Sequence, residues 1–157
     1  MDALRIGIAA FSATNVMTTF SYLLSVTYGS LFKEPVLLNF ILDQMGFSIR
    51  TKWKGFTGWL AHYCIGLLFV ISYDFLWAHG GVPFGWVSGI GFGIISGFIG
   101  ILGWRLMFRL PDQKPDVPLN DYYGQLFFAH IIFAGAVVVA YKIYEYDPIS
   151  HIAAATM

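Results

Sequence analysis

GFTGWLAHYCIGLLFVISYDFLWA, residues 55 to 78, carries a single formal charge, Asp74. At 1.5 Å of rise per residue a helix of this length is more than enough to cross a bilayer core about 30 Å thick. Its pattern of His62, Gly66 and Tyr73 returns near the C-terminus as His130, Gly135 and Tyr141. In both copies Tyr follows His by 11 residues. That is about 16 Å of helix and roughly 20° beyond three full turns, so each His shares a face with its Tyr. The chain therefore reads as one helical hairpin written twice. The residues after the tyrosines, Asp74 and Lys142, fall at matching heights with opposite charge.

Composition points the same way. Hydrophobic residues make up 57% of the 157 residues and charged ones 11%, with a mean hydropathy of +0.67. A soluble domain usually carries about a quarter charged residues, so the chain belongs in a bilayer. Its formal net charge is zero, and its nine Lys and Arg sit mostly at the ends of apolar runs. That is membrane anchoring, and it argues against a nucleic-acid partner. The lone cysteine, Cys64, excludes an intramolecular disulfide.

Four spans follow, at about residues 6–31, 55–78, 85–108 and 124–144. The first is uncharged over its whole length, too long for the apolar core of a signal peptide and without an Ala-x-Ala-like site, so it is read as retained. It is rich in polar groups, among them Ser12, Thr14, Asn15, Thr18, Thr19, Ser21 and Ser25. Such groups need partners in hydrocarbon, which places this helix inside a bundle. Residues 35–46 form a short amphipathic helix with a narrow polar stripe of Asn39, Asp43 and Gly46. It is too short to span and is expected at the membrane surface with its apolar face inward.

A Gly-Gly-Val-Pro turn after His79 makes spans two and three antiparallel neighbours. Span three places Gly85, Gly89, Gly93 and Gly97 at four-residue spacing, with Ser96, Gly100 and Gly103 on an adjoining row. Small residues in a stripe let another helix backbone approach closely, and the partner is either span one or another subunit. The three prolines between Arg109 and Tyr123 mark a loop before span four.

Lys33, Arg50, Lys52, Lys54, Arg105, Arg109 and Lys114 lie at the ends bearing the two long loops, against Arg5 and Lys142 at the other. The positive-inside rule then puts the long loops in the cytoplasm and both termini outside. Trp53, Trp59 and Trp104 at one boundary, with Trp77 and Trp86 at the other, fit two aromatic belts.

Within the spans the candidate functional groups are Asn15, Thr19, His62, Tyr73, Asp74, Arg105, His130, Tyr141 and Lys142. Polar residues at membrane depth are expensive and are functional candidates for that reason. Spans two and four run in the same direction, so His62 and His130 lie at one depth. Each either hydrogen-bonds a hydroxyl of span one or, facing the other, ligates a haem b axially. A quinone, lipid or pigment contact is the third alternative. Asp74 and Lys142 either pair near the outer boundary or reach headgroups separately, and Arg105 snorkels to phosphate. His79 and His151 form no metal cluster, and no hydrolase, P-loop or dinucleotide motif is present.

The segment GIAAFSATNVMTTFSYLLSV, with the later LAHYCIGLLFVISY and FAHIIFAGAVVVAY, resembles small four-span bacterial inner-membrane proteins of uncharacterised function. The resemblance implies a four-helix topology and location in the inner membrane, and carries over no activity or ligand. The expectation is thus an all-α membrane protein of two tandem hairpins without catalytic chemistry. It would act as an accessory or structural subunit against other membrane proteins or in a homo-oligomer. A haem b electron-transfer subunit and a small-solute transporter or channel component are the alternatives.

Overall fold

The computed structural model describes residues 3–47, 55–111, 113 and 115–145. Arg50, Lys52, Trp53, Lys54, Lys114 and His151, which entered the topology and metal arguments, lie outside the described residues. Among the described residues the fold is entirely helical: α1 (Ala3–Tyr28), α2 (Glu34–Gln44), α3 (Phe56–His79), α4 (Trp86–Met107) and α5 (Leu119–Glu145). Three of these, α3, α4 and α5, are long and apolar enough to cross a membrane. Their outward faces carry Leu68, Val87, Ile95, Phe98, Leu102, Phe128 and Ile143, all exposed, as lipid contact requires. The chain is a helical membrane protein.

The helix ends follow local chemistry. α1 stops where Gly29 adopts a left-handed φ of +63°, a conformation that costs glycine nothing. The Ser25 hydroxyl donates to the Ser30 carbonyl and accepts from the Phe32 amide, tying down the reversal. α2 then begins with Pro35 in its first turn, where a missing N–H costs nothing.

The four long helices form an antiparallel ring in the order α3, α1, α5, α4. α1 runs opposite to both neighbours: Thr18 meets His62 and Asn15 meets Tyr63 on α3, while Ser21 meets Gln125 on α5. Its buried face is Ile6, Ala9, Ala10, Ala13, Thr14, Met17, Thr18, Ser21 and Ser25, a helical stripe of small and hydroxylated residues. α2 crosses α3 at Gly58, whose missing Cβ makes room for the Pro35 carbonyl and for Asn39.

The glycine stripe of α4 packs on α5 of the same chain. A Cβ at Gly93 would lie 2.7 Å from Ile131 Cα, and one at Gly97 2.8 Å from the Phe127 ring. Gly89 faces Val138, and Gly100 faces the His130 imidazole. Gly85, at the end of the stripe, faces open space, as does Gly103.

The expected pairing of α3 with α4 needs correction. The two are consecutive and antiparallel, but their backbones scarcely approach one another, because α4 is committed to α5. They meet through side chains near the connecting turn. Tyr73 Oη donates to Ser96 Oγ at 2.7 Å, Trp77 Nε1 donates to Ser88 Oγ at 3.0 Å, and the Tyr73 and Phe92 rings stack at 5.1 Å. Farther from the turn the helices part. Trp104 is also not a belt residue: it is buried against Tyr122 and Phe108, with ring centroids 5.3 and 5.1 Å away.

The α4–α5 contact predicts a position-specific result. Gly93→Ala would push a methyl into the Ile131 backbone, which cannot rotate away, and is expected to cost about 1–3 kcal/mol as other overpacking changes do. Gly103→Ala, facing open space, is expected to leave the melting temperature in detergent unchanged. Equal melting of the two variants would contradict this contact.

Candidate functional site

The ring encloses a cavity of ≈ 190 Å³ where α3 and α4 diverge. Its walls include Thr14 and Met17 of α1, Glu34 of α2, and both intramembrane histidines. Ile65 of α3 and Ile99 of α4 line it too and are themselves exposed, so the cavity opens sideways between those helices. Trp104 and Phe133 close the far side.

His62 and His130 come to the same cavity but are held differently. The Thr18 hydroxyl donates its single proton to the Thr14 carbonyl at 2.7 Å. His62 Nε2–H must therefore be the donor in its 2.9 Å contact with Thr18 Oγ1, which leaves Nδ1 with the lone pair. This is the expected hydroxyl partner on the first helix. His130 finds none there: its Nδ1–H donates to the Leu126 carbonyl one turn back, at 2.8 Å, and Nε2 keeps the lone pair. Both rings thus present acceptors only.

Glu34 is the residue that sequence reasoning missed. It is 1% exposed, although it opens a helix outside the apolar spans. Ser21 Oγ donates to Glu34 Oε1 at 2.7 Å and Gln125 Nε2 donates to the same oxygen at 3.0 Å. Oε2 has no hydrogen-bond partner among the described residues, nor has the cavity-lining Thr14 hydroxyl. A signal was available. Of the five buried residues of α2, Glu34, Leu37, Leu38 and Ile41 lie at spacings of three and four, with Pro35 beside Glu34, so the carboxylate belongs to the apolar face. Burial pushes the Glu34 carboxyl up to about 7, against the opposing pull of the Ser21 and Gln125 hydrogen bonds.

The other intramembrane candidates divide. Asp74, 2% exposed, does not pair with Lys142. Arg5 Nη2 donates to Asp74 Oδ1 at 2.8 Å and Tyr141 Oη donates to the same oxygen at 3.0 Å, with the guanidinium 4.5 Å above the Tyr141 ring. Arg5 reaches back because α1 begins at the level where α3 ends. Lys142 is exposed, its ammonium 5.9 Å from the Phe84 ring. Tyr73 belongs to the α3–α4 contact described above. Asn15 donates to the Phe11 carbonyl and accepts from Tyr63 at the edge of the bundle. Thr19 and Arg105 are exposed and join no buried cluster, because each lies on the outer face of its helix. No group of three or more His, Cys, Asp or Glu placed to hold a metal occurs among the described residues.

No protein family, characterised protein or solved structure matches this chain. The resemblance to small four-span inner-membrane proteins therefore rests on the placement of Gly, Ala, His and Tyr alone.

Two outcomes follow from the charged groups. Arg5→Ala strands a buried carboxylate and is expected to cost about 3–5 kcal/mol, the range for breaking a buried pair. Asp74→Asn keeps an acceptor for Arg5 and Tyr141 and costs less, and adding it to Arg5→Ala restores part of the loss. Thermal melts of the two single variants and the double variant read this directly, and no recovery in the double would break the assigned pair.

For Glu34, the folded protein holds a proton that the unfolded chain releases between its ordinary value of 4.5 and about 7. Stability is accordingly greatest below that window and falls as pH rises through 7, by at most about 3 kcal/mol. Glu34→Gln should flatten the dependence of melting temperature on pH, and a slope that survives the substitution assigns it elsewhere.

Proposed function

We propose that this chain is a non-catalytic integral membrane protein that holds a small amphipathic molecule inside the bilayer, as an accessory subunit to other membrane proteins. In this reading α1 is a fourth span beside α3, α4 and α5, so that the bundle is two tandem hairpins, α1 with α3 and α4 with α5. The burial of α1's hydroxyl stripe supports that placement, since the remaining faces of α1 are turned outward and carry Leu4, Ile8, Phe11, Val16 and Leu23. α2 lies at the cytoplasmic boundary with its carboxylate tucked inward. Both termini face outward, following the Lys and Arg bias, and the membrane is the bacterial inner membrane.

The observation that carries the function is the cavity and its lining. It exceeds the ~150 Å³ at which an engineered apolar cavity takes up benzene. It differs from such a cavity in holding one carboxylate oxygen without a partner and two imidazole lone pairs. Polar groups are not kept at such depth without a use, because each costs desolvation that packing alone would avoid. The sideways opening gives a molecule dissolved in the bilayer a route in between Ile65 and Ile99.

Against a haem b held by His62 and His130 stands the hydrogen bonding of the rings. His62 Nε2 is committed to Thr18, and His130 Nε2 lies against α4, where even a Cβ on Gly100 would come within 2.8 Å. A macrocycle stacked on that nitrogen would require α4 to leave α5. Transport of a small solute needs a second opening, and the tight Tyr73–Ser96 and Arg5–Asp74 contacts close the bundle at the turn end.

Occupancy of the cavity can be read from Trp104, which lines it. A brominated fatty alcohol should quench Trp104 fluorescence saturably in detergent, and Trp104→Phe should remove the saturable part. Gly103→Leu fills the mouth from a position with free space and should abolish saturation without lowering the melting temperature. Quenching that rises linearly and equally in all three proteins would reduce the cavity to a packing gap.

A further inference from the structure

Building on the proposed cavity, we infer that its ligand is a lipophilic primary amine bound as its ammonium ion, with Glu34 Oε2 as the counter-ion and the tail leaving between α3 and α4. The inference rests on a mismatch in donors and acceptors. The groups on the cavity wall are Glu34 with its open Oε2, the lone pairs of His62 and His130, and the Thr14 hydroxyl, and behind Glu34 the Gln125 Oε1 and the Tyr122 hydroxyl are also buried without a partner among the described residues. The carboxylate oxygen and the two ring nitrogens accept only, as the rings are hydrogen-bonded, whereas the Thr14 hydroxyl can accept or donate. A buried site whose vacant positions are mainly acceptors is matched by a ligand that brings several N–H donors, and an ammonium brings three and no acceptor.

Charge makes the same selection. Glu34 is fully enclosed by α1, α2 and α5, yet no cationic side chain pairs with it among the described residues. The adjacent Lys33 is turned away, its ammonium 5.1 Å from the Tyr22 ring. The titratable groups near the carboxylate are Tyr22 from α1, Tyr122 from α5 and the two histidines, none of which supplies a fixed positive charge. The contrast lies at the opposite end of the bundle, where the equally buried Asp74 has its arginine inside the chain. A lone buried carboxylate is costly unless a cation reaches it, and here the opening leads from the lipid to it.

Shape completes the fit. The walls between Glu34 and the opening are Leu38, Ile65, Phe69, Ile99 and Met107, an apolar sleeve for a hydrocarbon chain. Trp104 and Phe69 add aromatic rings to the lining, and such rings attract a cation.

The test compares three ligands of one chain length as competitors of the brominated alcohol at Trp104: dodecylamine, dodecanol and dodecyltrimethylammonium. The pH is held above the Glu34 titration and below that of an alkylammonium, about 10.4 as in lysine. Dodecylamine, carrying both charge and N–H donors, is expected to compete at least about tenfold better than either of the others, as a charge-assisted hydrogen bond does over a neutral one. Glu34→Gln, checked by its melt, should remove that advantage, so that dodecylamine competes no better than dodecanol. Dodecanol or the quaternary ammonium competing as well as dodecylamine with the native protein would overturn the inference even if the variant fails to fold. So would a Glu34→Gln protein that keeps the amine preference. If none of the three competes and the brominated alcohol does not saturate, the cavity itself takes no ligand and the reading beneath the inference falls with it.

Discussion

Without side chains at Gly89, Gly93 and Gly97, the backbone of α4 lies against that of α5, and this approach places the other helices. In a bilayer no hydrophobic force draws helices together, so the pair that packs most closely gains most from dispersion. Once α4 is committed to α5 it cannot also lie along α3, although a short turn joins those two. α3 is left to α1 and α2, and the ring closes between α3 and α4 by side chains alone. The cavity is the volume that this division leaves over.

The polar residues follow from the same division. α1 sits between α3 and α5, and its hydroxyls serve both: Thr18 takes His62, and Ser21 takes Glu34 and Gln125. These contacts make α1 a polar spine within an apolar bundle. Its low apolarity is then a consequence of its position, since a helix flanked on two sides needs fewer lipid-facing side chains. The two buried carboxylates mark its ends. Each is bonded through one oxygen and leaves the other without a partner among the described residues, but Asp74 has the Arg5 guanidinium on its bonded oxygen whereas Glu34 has only neutral donors. That difference separates a contact that fastens the bundle from a carboxylate left without a cation among the described residues.

The histidine repeat illustrates how symmetry in sequence becomes asymmetry in space. His62 and His130 reach one cavity, as their common depth implied, and Tyr73 and Tyr141 both lie at the turn end. Their partners nevertheless differ. His62 meets a hydroxyl while His130 turns to its own backbone, and Tyr73 bonds Ser96 while Tyr141 bonds Asp74. The α3 copy meets α1 through its His and α4 through its Tyr, and the α5 copy meets α4 through its His and α3 through its Tyr, so equal residues meet unequal neighbours.

Length, apolarity and punctuation, read along the chain, determined that this is a helical membrane protein, where its long helices run, and that α4 carries a packing face. These are properties of segments, set by the cost of exposing backbone and polar groups to hydrocarbon, and each segment declares them alone. Which helix receives the glycine face, which cation reaches Asp74 and whether Thr19 or Thr18 faces inward were decided only in the tertiary structure. They depend on the order of helices around the ring, and four helices with apolar faces can be ordered in more than one way. Glu34 lies between the two cases. Its place on the apolar face of α2 is a matter of helical spacing, but its open oxygen beside two histidines exists only because α2 folds back beneath α1 and α5. The carboxylate's partners come from two other helices, Ser21 of α1 and Gln125 of α5, and no local pattern records which donors will be missing.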